Sequence, residues 1–295
     1  MSTARILEFS AARVLALGSQ EALLSRLRDF RTPAEAGIET CDGETDALQR
    51  LRTSPVDVVI TDPTTSVRAD IAFAQEARRT RPGVRIIVLA PAASPDEVIE
   101  ALRSHVFACY TAPYDHDEIA GMVAHALEEP EWRDGIQIVS GLRNWFTLRV
   151  SCHLITAERL INFMTQLRSD LPDRERDLLI AAFREMLVNA MEHGAGFDAR
   201  KVVEVTAAKT ARAIVYHFRD PGNGFSRESL THAADSSQPA HVQATMDARA
   251  DKNLRPGGFG MLIARHVADE LVYNEHGNEV ILIKHIDQIP GVRRD

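Results

Sequence analysis

The stretch Val56-Asp57-Val58-Val59-Ile60-Thr61-Asp62 decides how the first half of the chain is read. Its apolar run is short, β-branched and unbroken, the pattern of a strand buried on both faces and closed by a polar tip. Working outward, further strands are expected at residues 13–18, 38–41, 84–89 and 106–110, with helical patterns between them, for example Asp70 to Arg79 and Pro95 to Ser104. Ser19 stands where it could cap the helix after the first strand. Regular strand–helix alternation predicts right-handed βαβ units and a parallel sheet.

Five such repeats within residues 1–129 predict an α/β, doubly wound, flavodoxin-like fold, whose chemistry sits at the carboxyl ends of the strands. Asp62 falls at that end of the third strand. The chain of 295 residues is long enough for two domains. Residues 128–135 (EEPEWRDG) are polar and carry a proline, so the expected division is a first domain over 1–129, a linker over 130–144, a second domain over 145–288 and a tail over 289–295.

Acidic residues (42) outnumber basic ones (34), giving a formal net charge of −8. That balance argues against non-specific nucleic-acid binding, which needs a basic face. A hydrophobic fraction of 45% suffices for two cores. No apolar run approaches the ~20 residues that span a bilayer. The N-terminal residues lack the layout of a signal peptide, so a cytoplasmic protein without membrane partners is expected. Cys41, Cys109 and Cys152 form no CxxC pair and suggest neither zinc nor a disulfide framework, but buried thiols in a reducing compartment.

The second half has a different pattern. Strands are expected at residues 145–150, 202–207, 213–218, 271–273 and 280–284. Helices are expected over 157–167, from Pro172 to His193 with a stop at Gly194, and over 259–270. This irregular order predicts α+β, with helices on one face of a mixed sheet.

Three segments here carry chemistry. In FREMLVNAMEHG (183–194), Glu185 and Asn189 lie four apart and share a helix face. An Asn oxygen is a hard ligand suited to Mg²⁺, and a neighbouring Glu can take a proton from an attacking hydroxyl. In FRDPGNGF (218–225), Asp220 ends a strand and precedes Gly222 and Gly224, which let a flat ligand approach the backbone. A carboxylate there can accept a hydrogen bond from an exocyclic amine. In RPGGFGMLIARHVAD (255–269), Gly257, Gly258 and Gly260 open a helix whose N–H groups can bind phosphate. Taken singly, each has an ordinary reading: a solvated helix face, a turn, a helix start.

Their order resembles the N, G1 and G2 boxes of the GHKL ATPase superfamily over residues 145–287. The E-x-x-x-N-x-x-x-H helix of Glu185, Asn189 and His193 is most similar to the anti-sigma-factor serine kinases of the RsbW type. The resemblance implies a Bergerat-fold sandwich binding ATP and Mg²⁺. Asn189 would hold Mg²⁺, Glu185 would be the general base and His193 would belong to the nucleotide site. Asp220 would bind the adenine amine, Gly222 and Gly224 would shape its pocket, and Gly257, Gly258 and Gly260 would close over the phosphates. Residues 226–256 would form the lid, with Lys252 and Arg255 candidates for the γ-phosphate. Such kinases phosphorylate a serine on a STAS-domain anti-anti-sigma partner, bind a sigma factor and commonly form homodimers. A histidine kinase is the neighbouring reading, but His153, in CHLITAERL, lacks the Glu and Pro of a phosphoacceptor helix.

The first half resembles a response-regulator receiver domain, with Asp62 at the phosphoacceptor position. Where a receiver carries an acidic pair after the first strand, this chain has Gly18-Ser19. Ala90 replaces the Ser or Thr after the fourth strand, and Ala112-Pro113 replaces Lys-Pro after the fifth. Without Mg²⁺ ligands and lysine, charge on a transferred phosphoryl group is not neutralised. A pseudo-receiver serving as a docking surface is therefore expected, with Asp62 inactive. A non-catalytic signalling adaptor is the alternative for the whole chain.

Overall fold

A computed structural model describes residues 13–18, 20–29, 37–128, 133–142, 144–167, 171–224 and 259–286. The chain divides into two compact units, Met1–Asp134 and Gly135–Asp295. Among the described residues no helix is long and apolar enough to cross a membrane.

The first unit holds strands β1 (Arg13–Leu17), β2 (Gly37–Cys41), β3 (Val58–Ile60), β4 (Arg85–Ala90) and β5 (Ala108–Thr111). They form one sheet in the order β2-β1-β3-β4-β5, with every pair parallel. That is the doubly wound order in which the crevice lies at the strands' carboxyl ends. Helices α1 (Glu21–Asp29), α2 (Glu44–Thr53), α3 (Val67–Thr80), α4 (Pro95–Arg103) and α5 (His116–Glu128) make the connections. Burial follows composition: β3 and β4 are buried throughout, whereas in the edge strand β2 only Cys41 is buried. The β3 ladder is shorter than expected, but backbone bonds from Asp57 N to Arg13 O and from Thr61 N to Ile87 O extend the pairing past each end.

The second unit holds β6 (Ile136–Leu142), β7 (Trp145–Ser151), β8 (Val202–Lys209), β9 (Ala213–Arg219), β10 (Glu270–Tyr273) and β11 (Glu279–His285). Its helices are α6 (Leu154–Gln166), α7 (Asp173–Ala195) and α8 (Phe259–Val267). The sheet order is β10-β11-β9-β8-β7-β6. All five pairings are antiparallel, which corrects the mixed sheet expected from the sequence. The reason lies in the connections. Helices α6 and α7 join β7 to β8 as a pair, and the chain returns reversed beside its starting strand; β11 inserts between β9 and β10.

A second correction concerns residues 136–142, placed in the linker by their sequence, which form the edge strand β6. Only Ile136 of that strand is buried, and a bulge between Ile138 and Ser140 breaks the alternation that would have revealed it.

Helices cover one face of this sheet. Phe183 of α7 packs on Tyr216 (ring centroids 4.9 Å apart, edge-on) and Phe218 (5.1 Å) of β9. Leu148, Val150, Val203, Val205 and Leu282 complete the buried sheet face. Arg184 of α7 forms a bidentate ion pair with Glu158 of α6.

Candidate functional site

The site is built around the C-terminal turns of α7. Glu185, Asn189 and His193 recur every fourth residue, so they line one stripe of the helix; the first two are half-buried and His193 is exposed. The helix runs through Gly194, the expected stop, to Ala195. Gly196, at φ 64°, then caps it: its N–H bonds Glu192 O at 2.9 Å and the Phe197 N–H bonds Met191 O at 3.0 Å.

Gly194 serves a different purpose. A Cβ there would stand 2.2 Å from Asp220 Oδ1 and 2.4 Å from Asp220 Cβ. The absence of a side chain lets the strand end β9–Asp220 lie directly against α7. Gly222 completes the wedge, since a Cβ on it would sit 2.8 Å from both Asp220 Oδ1 and the Gly194 backbone. The Gly222 N–H donates to Asp220 Oδ1 at 2.8 Å. Burial pushes the Asp220 carboxyl above its ordinary pKa, and the Gly222 N–H and nearby His193 pull it back down. Half-buried between two glycines, the carboxylate has Oδ1 engaged by the Gly222 N–H.

The loop is fixed from its other side by the β10–β11 hairpin, whose strands were expected from the sequence but whose clasp on this loop was not. The Asp220 N–H donates to Asn278 O at 3.0 Å, and Asn278 Nδ2 donates to Gly222 O at 3.4 Å. Gly224, at φ 75°, passes so close to the hairpin that a Cβ would lie 1.7 Å from His276 O. Asn274 shapes that turn by accepting from the N–H groups of Gly277 (2.8 Å) and Asn278 (3.1 Å). The sequence signal was there: Asn274-Glu275-His276-Gly277-Asn278 is rich in turn formers.

The structure thus brings Asp220 and Gly222, just past β9, against the end of the helix that bears Glu185, Asn189 and His193. Gly260 lies in the first turn of α8, which packs against α7. Gly257, Gly258, Lys252, Arg255 and the expected lid over 226–256 lie outside the described residues, as does Ser19. The glycines leave room for the Asp220 carboxylate itself to seat against α7, and a carboxylate so placed can accept a hydrogen bond from an exocyclic amine such as that of adenine. For metal, the donors fit an ion that arrives with a phosphate ligand: no cluster of three His, Cys, Asp or Glu suited to a metal exists among the described residues.

In the first unit, Asp62 lies two residues past β3, where it was expected. Its Oδ1 accepts from Thr64 N (2.8 Å) and Thr64 Oγ1 (2.6 Å). Gly18, at φ 71°, lies beneath it, and a Cβ there would fall 2.1 Å from Asp62 Oδ2. Residues 1–134 contain no lysine at all, so no charge of that kind from this unit can reach Asp62. Beside it, Asp70 is buried and accepts from Thr61 Oγ1 (3.0 Å) and Thr65 Oγ1 (2.7 Å). Burial raises its pKa to about 6 against those two hydrogen bonds.

Residues 150–284 match the family of histidine kinase-like ATPase domains. No curated protein matches the chain. Among solved structures, the chain is similar to the signal receiver domain of an HD domain-containing protein from Pseudomonas fluorescens Pf-5, at 22% identity and a TM-score of 0.34, over 40% of this chain and 88% of that one. A response regulator from Thermotoga maritima matches at 14% identity and a TM-score of 0.36, over 40% and 99%. The receiver domain of RcsB from Salmonella enterica serovar Typhimurium matches at 16% identity and a TM-score of 0.34, over 41% and 92%.

Proposed function

We infer that the second unit is an ATP-binding domain of the histidine kinase-like ATPase kind, which residues 150–284 match, and that the chain works in signalling. We propose that it is an ATP-dependent protein serine/threonine kinase acting as an anti-sigma-factor-like regulator, with a STAS-domain anti-anti-sigma protein as phosphoacceptor and a sigma factor as second partner. The observation that carries the nucleotide reading is Asp220, held half-buried between Gly194 and Gly222 at the end of the helix bearing Glu185 and Asn189.

In this reading Asp220 accepts a hydrogen bond from the adenine amine, and the two glycines leave room for its carboxylate against α7. Asn189 presents its side-chain oxygen to Mg²⁺. Glu185, one turn earlier on the same stripe, accepts the proton of the attacking serine hydroxyl. MgATP supplies the phosphoryl group and neutralises part of its charge. Gly260 and the N–H groups at the start of α8 face the phosphates. The first unit, with Asp62 engaged by Thr64 and no lysine, acts as a docking surface and not as a phosphoacceptor.

Calorimetric titration of ATP and ADP, with and without Mg²⁺, tests the site. Mg²⁺-dependent binding to the wild type, lost in Asn189→Ala, is expected. Transfer of labelled phosphate to a serine of a STAS-domain protein, abolished in Glu185→Ala while ATP still binds, is expected next. ATP binding without transfer to any acceptor would leave the adaptor reading in its place.

A further inference from the structure

The hydroxyl groups beside Asp70 carry too few protons for the oxygens around them. Thr61, just past β3, gives its one proton to Asp70 Oδ2 at 3.0 Å and accepts from the Leu89 N–H at 3.0 Å. Leu89 O, at 3.4 Å, is too far for a good O–H···O bond. Thr65 Oγ1 stands 2.7 Å from Asp62 O and 2.7 Å from Asp70 Oδ1. One hydroxyl proton cannot serve both. Were both neighbours acceptors only, two oxygens would face each other with nothing between them. A proton on Asp70 Oδ1 removes the conflict: the acid donates to Thr65 Oγ1, and Thr65 donates to Asp62 O.

The surroundings favour that proton. Asp70 lies in the first turn of α3 and is 1% exposed. The charges that reach it are those of Glu44, at the start of α2, and Asp62, both negative. Cys109 of β5 and Tyr114 of the loop after it also face Asp70. Cys109 in turn feels Glu97 of α4, and Arg68 of α3 acts on Glu97. Among such neighbours a buried carboxylate is costly in its ionised form.

We infer that Asp70 is the proton site of a switch on the Asp62–Thr65 turn, which is closed when the carboxyl is protonated and loosened when it is ionised. In the acid form Thr65 holds Asp62 O twice, through Oγ1 at 2.7 Å and through its N–H at 3.1 Å. In the ionised form the carboxylate is the stronger acceptor and draws the hydroxyl proton to itself. The turn then keeps only the N–H bond, and Asp62 O faces a hydroxyl oxygen whose proton has turned away. Tyr114 holds the same turn from its other side, donating to Pro63 O at 3.3 Å, so the change reaches the β5–α5 loop. Burial pushes the Asp70 carboxyl up to about 6, so the switch works between weakly acidic and neutral solution. The turn carries Asp62 and the exposed Thr64 at the carboxyl end of the sheet, where this fold places its crevice. A partner meeting that end finds a closed turn in acid and a looser one at neutrality. The inference rests on the first unit alone and stands or falls apart from the nucleotide reading.

Carbon NMR of the full chain, labelled at its aspartate carboxyl carbons and assigned with Asp70→Asn, reads the proton directly. A midpoint at about pH 6 is expected, and one near the ordinary 3.8 overturns the inference. Amide exchange at Thr65, corrected for its intrinsic pH dependence, reads the turn. Protection there is expected to fall about tenfold from pH ~5 to pH ~7, the effect of one hydrogen bond lost. Asp70→Asn, whose amide donates as the acid does, is expected to stay protected across that range. Thr65→Val is expected to be poorly protected at every pH while the Asp70 carboxyl still titrates, and Thr65→Ser to restore the pH dependence. Protection that does not change with pH in the wild type, or that changes equally in Asp70→Asn, overturns the switch.

Discussion

Gly194 shows how much one missing side chain can determine. An alanine within a helix ordinarily gains up to ~1 kcal/mol over glycine. At position 194 its Cβ would overlap the Asp220 carboxylate, and overpacking of that kind costs ~1–3 kcal/mol. Gly194→Ala is therefore expected to lower the melting temperature and to weaken ATP binding about tenfold, as calorimetry would read it. Gly196→Ala makes the contrast: the space there is open, only the left-handed φ costs ~1 kcal/mol, and nucleotide affinity is expected to hold. Asp220→Ala removes a charged acceptor worth ~1.5–3 kcal/mol, so adenine nucleotide affinity falls by about ten- to a hundredfold in the same titration. Asp70 gives a prediction in pH. Its folded pKa of about 6 lies above the ordinary 3.8, so the native state binds more protons between those values. Stability from this group is thus full below pH ~4 and declines as pH rises to about 6, by up to ~3 kcal/mol. Asp70→Asn is expected to flatten that slope in urea titrations across pH 4–7.

At the scale of elements, legibility followed pattern. The strands of the first unit could be read because their apolar runs, such as Arg85–Ala90, are fully buried and punctuated by helices with clear caps. The α4 start is an example: Glu97 N bonds Ser94 Oγ and Ser94 N bonds Glu97 Oε2, a capping box already written in Ser94-Pro95-Asp96-Glu97. Ser94→Ala is expected to cost about 1 kcal/mol in thermal unfolding. Strand β6 could not be read, because its bulge and its single buried residue leave no alternation. Gly194 was taken for a helix stop because glycine is the commonest residue just past a helix end. Its true reason is Asp220, a neighbour in space that no local periodicity reveals. The Asn274–Asn278 turn was visible as a turn, but its clasp on the Asp220 loop depends on β11 inserting between β9 and β10, which the linear order hides.

At the scale of the whole molecule, the proposed function gives the two units different work: a nucleotide site in the second, and in the first a strand-end carboxylate that takes no phosphate. Asp62 is held by Thr64, Gly18 stands beneath it without a side chain, and the unit contains no lysine. Incubation with acetyl phosphate and Mg²⁺ is expected to leave the chain unphosphorylated, and Asp62→Asn to behave as wild type; a mass shift of one phosphoryl group, absent in the variant, would refute this. The architecture of both units was legible from the sequence, since strand–helix alternation and its loss are global patterns. The strand directions of the second sheet were not, because they follow from which strands pair, with β11 between β9 and β10 and β6 at the edge, and such pairings between distant segments leave no local pattern.

The close passage of Gly224 beneath His276 has one more consequence. The loop and the hairpin turn share a single backbone seam, so neither can breathe while the other is held. A ligand seated on Asp220 should therefore slow deuterium uptake at Asp220, whose amide ends on Asn278, and at Gly277 and Asn278, whose amides end on Asn274. The β10–β11 hairpin would then register occupancy of the Asp220 site through its backbone.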